Sequence, residues 1–85
     1  MTSEASIRKT ILGILGDKKP GGTISPDEVA RALAGADPKA WSRLMPAIRR
    51  AAVALADEGA IAIRRKGKDV DPHDFKGVYR LGPPG

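Results

Sequence analysis

The sequence predicts an α+β chain with helices first and a small antiparallel sheet last. Three observations carry that expectation. Apolar residues recur at helical spacing as far as Leu55, they alternate from Ile61 onward, and glycine and proline signals punctuate the segments between. In the first segment Ile7, Ile11, Ile14 and Leu15 fall at i, i+4, i+7 and i+8. They make one apolar face, and Gly16 can end the helix in a left-handed conformation. Lys18-Lys19-Pro20-Gly21-Gly22 is then a loop, and Thr23-Ile24 leaves room for a very short strand.

Ser25-Pro26-Asp27-Glu28 is the clearest local signal. Ser25 can accept from the Glu28 amide, the Glu28 carboxylate can reach back to the Ser25 amide, and proline at the first helical position loses no hydrogen bond. Val29, Ala30 and Leu33 supply the inner face of this second helix, and Gly35 its stop. Asp37-Pro38 repeats the device and opens a third helix running to about Glu58, with Trp41, Leu44, Met45, Ile48, Ala52 and Leu55 on one side. Pro46 interrupts it, because its ring clashes with the Ser42 carbonyl. A kink, or a first turn that breaks and restarts, is expected there. After Gly59 the run from Ala60 to Lys66 reads as a strand, and Val78 to Leu81 as a second. About eleven residues, Gly67 to Gly77, connect them. The expected organisation is a single domain over residues 1–82, with a disordered tail over 83–85.

The 85 residues suffice for one small domain. Hydrophobic residues make up 41%, but thirteen are alanine, so the core must be compact. Absence of cysteine excludes disulfides and thiolate zinc sites and suits a cytoplasmic protein. The apolar run Ile11 to Gly16 is far short of the ~20 residues a membrane span requires, and it ends in Asp17-Lys18-Lys19, unlike a signal peptide. Net charge is +5, and its placement matters more than its size. Residues 1–37 carry five basic and five acidic side chains, residues 38–59 four and two, and residues 60–85 six and three. The excess therefore lies wholly in the second half. Localised positive charge favours a polyanionic partner, since bound lysine and arginine release phosphate counterions.

Helices two and three are separated by about Gly35-Ala36-Asp37, a helix-turn-helix spacing, and a hairpin follows immediately. That order (helix, short strand, helix, helix, strand, wing, strand) is the winged helix-turn-helix arrangement, with three helices and a small antiparallel sheet. The strings ISPDEVARAL, WSRLMPAIRRAA, LADEGAI and KGKDVDP, in that order, resemble a bacterial family of small winged-helix proteins catalogued as a domain of unknown function. The resemblance covers roughly residues 7–81. It implies the winged-helix fold and brings no catalytic residues. At the level of fold alone, the layout is also similar to many bacterial transcription regulators.

On an ideal third helix, Lys39, Arg43 and Arg50 lie opposite the apolar face, within about 40° of one another. Arg49 lies on the flank, and Ser42 shares the outer face. A recognition helix presents its N-terminal half to bases, so this polarity suits DNA, with Ser42 able to bond to bases or phosphate. Asp57 and Glu58 at the far end oppose the helix dipole. In IRRKGKDVD, Arg64 and Lys66 point outward, Arg65 continues the inward side and Lys68 lies beyond Gly67, making a basic wing tip fit for phosphate contact. Asp69, Asp71 and Asp74 follow closely and could cancel its field. Val70 and Phe75 are expected to fold the loop back onto the core. The plain alternative at both stations is a solvated charged surface.

Other constellations fail on their own terms. Gly16 to Thr23 spaces its glycines like a phosphate-binding loop, but Gly22 stands where lysine is needed and no long strand precedes it. Gly13-Ile14-Leu15-Gly16 spells G-x-x-G, yet its middle residues belong to the apolar face of the first helix. Asp71, His73 and Asp74 make weak metal ligands, and no nucleophile has a histidine to spare, so neither cofactor nor enzymatic activity is expected. Trp41, Phe75 and Tyr79 read as core or loop anchors, not as stacking platforms for single strands. The expectation is a double-stranded-DNA-binding winged helix, a transcription regulator by analogy, acting through Lys39, Ser42, Arg43, Arg49, Arg50, Arg64, Lys66 and Lys68. The alternative is a protein-interaction winged helix, seating a partner helix or a second copy on Ala47, Val53 and Ala54.

Overall fold

The computed structural model describes residues 4–18 and 22–84. Its elements run α1 (Glu4–Gly16), α2 (Pro26–Ala34), α3 (Pro38–Ser42), α4 (Met45–Asp57), β1 (Ala62–Arg65), β2 (Lys68–Asp69) and β3 (Arg80–Gly82). The fold is α+β, with four helices and a three-stranded antiparallel sheet among the described residues, an arrangement compatible with a winged helix.

Each helix buries the stripe its spacing marks. Ile7 and Ile11 of α1, Val29 and Ala30 of α2, and Ile48, Ala51, Ala52 and Leu55 of α4 meet in one core, closed by Ile24, Ile61, Ile63, Phe75, Tyr79 and Leu81. Ser25 Oγ accepts from the Glu28 amide at 3.3 Å, Asp37 Oδ1 from the Lys39 amide at 3.1 Å, and Gly35 ends α2 at φ 79°. The Glu28 carboxylate lies 3.5 Å from the Lys18 ammonium. Most of the Lys18–Gly22 loop lies outside the described residues.

The expected count of three helices is corrected to four, because the third breaks and restarts at Pro46, one of the two outcomes expected there. Pro46 has no amide with which to bond Ser42, so the ladder stops, and the chain passes through Arg43 and Leu44 in a tightened turn. There the Leu44 amide donates to the Trp41 carbonyl at 3.1 Å, an i−3 bond, before the Ile48 amide takes up the Leu44 carbonyl at 2.8 Å. Both junction residues keep right-handed helical dihedrals.

The sheet also departs from expectation. The eleven-residue connection is not all loop, because Lys68–Asp69 pairs back on β1 as β2, with Arg64 opposite Asp69 and Arg65 opposite Lys68. The turn between them is only Lys66-Gly67, both at positive φ (53° and 81°), as a two-residue type I′ hairpin requires. β3 flanks β1 on the other side, giving the order β2-β1-β3. The expected strand at Thr23-Ile24 reduces to a bridge between Ile24 and Leu81, its two hydrogen bonds both 2.8 Å. Between β2 and β3 the chain folds onto the core, burying Phe75 and half-burying Val70. No helix among the described residues is long and apolar enough to cross a membrane.

Candidate nucleic-acid interface

The eight residues singled out from the sequence separate into two groups by what their side chains touch. Lys39, Ser42, Arg43, Arg50, Lys66 and Lys68 are exposed, and none of their charged or hydroxyl groups has a partner among the described residues. Lys39 and Ser42 belong to α3, Arg43 to the junction and Arg50 to the first half of α4. The tightened junction adds a few tens of degrees to the ideal phase. Counting about 100° per helical residue and about 120° per residue of the tightened turn, Lys39, Arg43 and Arg50 fall within about 60° of one another. Arg50 borders a shallow pocket of about 250 Å³ with Glu4, Ile7 and Ala47, which places it on the α1 side of that face.

Arg49 and Arg64 serve internally. The Arg49 guanidinium donates to the Phe75 carbonyl at 2.8 Å and stacks 4.1 Å from the Phe75 ring centroid. It clamps the β2–β3 connection to α4. Arg64 Nε donates to Asp69 Oδ1 at 2.8 Å, and Nη2 to the Pro83 carbonyl at 3.2 Å. Its guanidinium lies over Gly82, where an added Cβ would meet Nη1 at 2.9 Å. Pro83, expected in a loose tail, is thereby held; Gly85 lies outside the described residues. Arg65 does the same one residue on. Nε donates to the Val78 carbonyl at 2.9 Å, and the guanidinium packs at Gly77, whose φ of 84° favours glycine. Two arginines of β1 thus fasten β2, the end of β3 and the incoming loop.

These staples also decide what the nearby acids do. Asp69 answers Arg64 and so leaves the tip lysines uncancelled. Asp71 Oδ1 accepts from the His73 amide at 2.9 Å, and Asp74 is exposed on the connection, off the hairpin. His73 Nε2 donates to the Asp57 carboxylate, 2.8 Å from each oxygen. Arg8 reaches Glu58 with two bonds of 2.6 and 2.7 Å, and those bonds hold the Glu58 carboxyl below its ordinary range. The acidic end of α4, unfavourable for its own dipole, is therefore matched by tertiary partners on α1 and the connection. No signal in the sequence marked Arg8–Glu58, which joins residues fifty apart.

Beyond the basic surface, Ala47 and Val53 pack partly on the core, so the apolar strip on α4 is narrower than its sequence suggests. Trp41 is half-buried with the Arg31 guanidinium 5.3 Å from its ring centroid, and Phe75 and Tyr79 are buried edge to face, 5.1 Å apart. The Tyr79 hydroxyl is buried without a hydrogen-bond partner among the described residues, an arrangement that costs about 1–3 kcal/mol. Burial pushes its pKa up, offset in part by the Arg49 charge and reinforced by Asp27. No cluster of three metal-ligating side chains forms among the described residues.

No curated protein matches the chain. Residues 4–84 match the family described as a protein of unknown function, DUF3253, which spans α1 through the end of β3. The match takes in the helices, the hairpin and its staples together, and the chain belongs to the DUF3253 family.

Proposed function

We propose that the chain is a winged-helix nucleic-acid-binding protein that acts on double-stranded DNA, with α3, its junction and the start of α4 as the reading unit and the Lys66-Gly67 hairpin as the wing. One observation carries this reading. Lys39, Arg43, Arg50, Lys66 and Lys68 stay exposed and unpaired among the described residues, while Asp57, Glu58 and Asp69 are engaged by His73, Arg8 and Arg64. Duplex is favoured over single strands because all three aromatic side chains are buried or half-buried, leaving bases nothing to stack on. In this reading Arg43 and Arg50 contact phosphates or base edges, Ser42 hydrogen-bonds beside them, and Lys66 and Lys68 neutralise phosphates at the flank. Regulation of transcription is the process such binding would serve.

The test is fluorescence anisotropy with a random-sequence duplex, comparing the wild type with Arg43→Glu/Arg50→Glu. Salt-sensitive micromolar binding that the double variant loses, while keeping its melting temperature, supports the assignment. Equal affinity in the two proteins would remove the helical face from it.

A further inference from the structure

A second surface is lined by none of Lys39, Arg43, Arg50, Lys66 and Lys68. Ser25, Pro26 and Asp27 at the start of α2, Met45 at the start of α4, and Gly77 to Arg80 before and within β3 enclose a groove of about 420 Å³. That volume suits a small molecule. Its walls are mainly apolar, from Pro26, Met45, Val78 and the Tyr79 ring, and Val78 stands 85% exposed.

Three features distinguish the groove from an ordinary surface dip. Tyr79 is only 7% exposed, and its hydroxyl is the buried side-chain polar atom left without a partner among the described residues. The Asp27 carboxylate lies near enough for its charge to act on that hydroxyl, and it has no hydrogen-bond or ion-pair partner among the described residues. Arg80 anchors itself through Nε to Thr23 Oγ1 at 2.7 Å and through Nη2 to the Thr23 carbonyl at 3.1 Å, which leaves Nη1 without a described partner. One groove therefore offers an apolar bed, one unpaired carboxylate and one fixed guanidinium. A ligand bearing a single charge meets a like charge as well as an unlike one. A compact zwitterion with an apolar side chain satisfies both.

We propose that this groove binds a free apolar α-amino acid, its ammonium toward Asp27, its carboxylate toward Arg80 and its side chain on Met45 and Val78. The inference is independent of DNA binding.

The test is methyl NMR on the full chain, following Met45 and Val78 during titration with three probes: leucine, leucinamide, which lacks the carboxylate, and 4-methylpentanoate, which lacks the ammonium. Leucine should perturb both methyls saturably with Kd near or below about 1 mM, and each half-charged probe should bind about tenfold more weakly. Asp27→Asn should erase the advantage of leucine over 4-methylpentanoate, with its amide dispersion confirming the fold. Val78→Trp, which fills the groove from an exposed position, should abolish the Met45 response to all three probes. No perturbation by leucine up to about 10 mM overturns the proposal. So does an equal response to the three probes, which would reduce the groove to an apolar surface.

Discussion

The arginines of the sheet and the cations of the α3–α4 path have similar chemistry and opposite employment. On β1, Arg64 and Arg65 each give a donor to a backbone carbonyl, at Pro83 and Val78, and pack against a glycine, and Arg64 also bonds Asp69. On the helical path, Lys39, Arg43 and Arg50 touch no acid or carbonyl among the described residues. The difference follows from geometry. A strand with short neighbours leaves carbonyls unpaired at its edges, and a planar guanidinium with five donors can satisfy them. A helix satisfies its own interior carbonyls, so a cation on it finds a partner only where another segment packs close, as Phe75 does at Arg49. A count of basic residues therefore overstates a binding surface, and the accessible, unpaired fraction is what an anion can use.

The comparison breaks most visibly if the free cations prove idle. Arg43→Glu/Arg50→Glu should weaken duplex binding by about 100-fold or more in low salt. The Lys66-Gly67 hairpin supplies the next effect. Lys66→Glu/Lys68→Glu should cost about tenfold and reduce the slope of log affinity against log salt by about two, measured by anisotropy over a salt series. The staples should behave in the opposite way. Arg49→Met loses the bond to the Phe75 carbonyl and the ring contact, and should destabilise the fold by about 1–2 kcal/mol in urea titration. Its effect on the salt slope should be small, and Arg64→Met should follow the same pattern at about 1 kcal/mol.

Two smaller effects sharpen the boundary between structural and free charge. Tyr79→Phe deletes the buried hydroxyl that has no partner, so stability should hold or rise by up to about 1 kcal/mol, read as a melting temperature. Glu58 titrates lower in the folded chain because Arg8 binds its charged form. Its contribution is present above the carboxyl's unfolded pKa and disappears as pH falls through the folded value. Glu58→Gln should therefore flatten the decline in melting temperature between about pH 5 and pH 3, a small change for so exposed a pair.

Much of the fold was legible because its signals are local. Ser25, Pro26 and Gly35 bound α2 as their chemistry dictates, and the break at Pro46 follows from a missing amide. β2 was not legible. Two charged residues carry no periodicity, and Lys66-Gly67 is a weaker hairpin signal than asparagine–glycine, although lysine at φ 53° completes the same turn. The positions of the basic residues were legible, but not which of them the fold would employ. Arg49 and Arg50 are adjacent in sequence, yet one meets Phe75 from a segment twenty-six residues away and the other meets solvent. Likewise, alternation placed Arg64 outward but could not show that Asp69 and Pro83 would claim it. Only long-range packing assigns those partners.

The most direct test of the central claim is the salt dependence of wild-type binding to a random-sequence duplex. The five cations proposed to contact DNA, Lys39, Arg43, Arg50, Lys66 and Lys68, predict a slope of log affinity against log salt near −4 to −5. No binding at low salt, or a slope near zero, would contradict the account and return the basic face and the hairpin to the role of solvated surface.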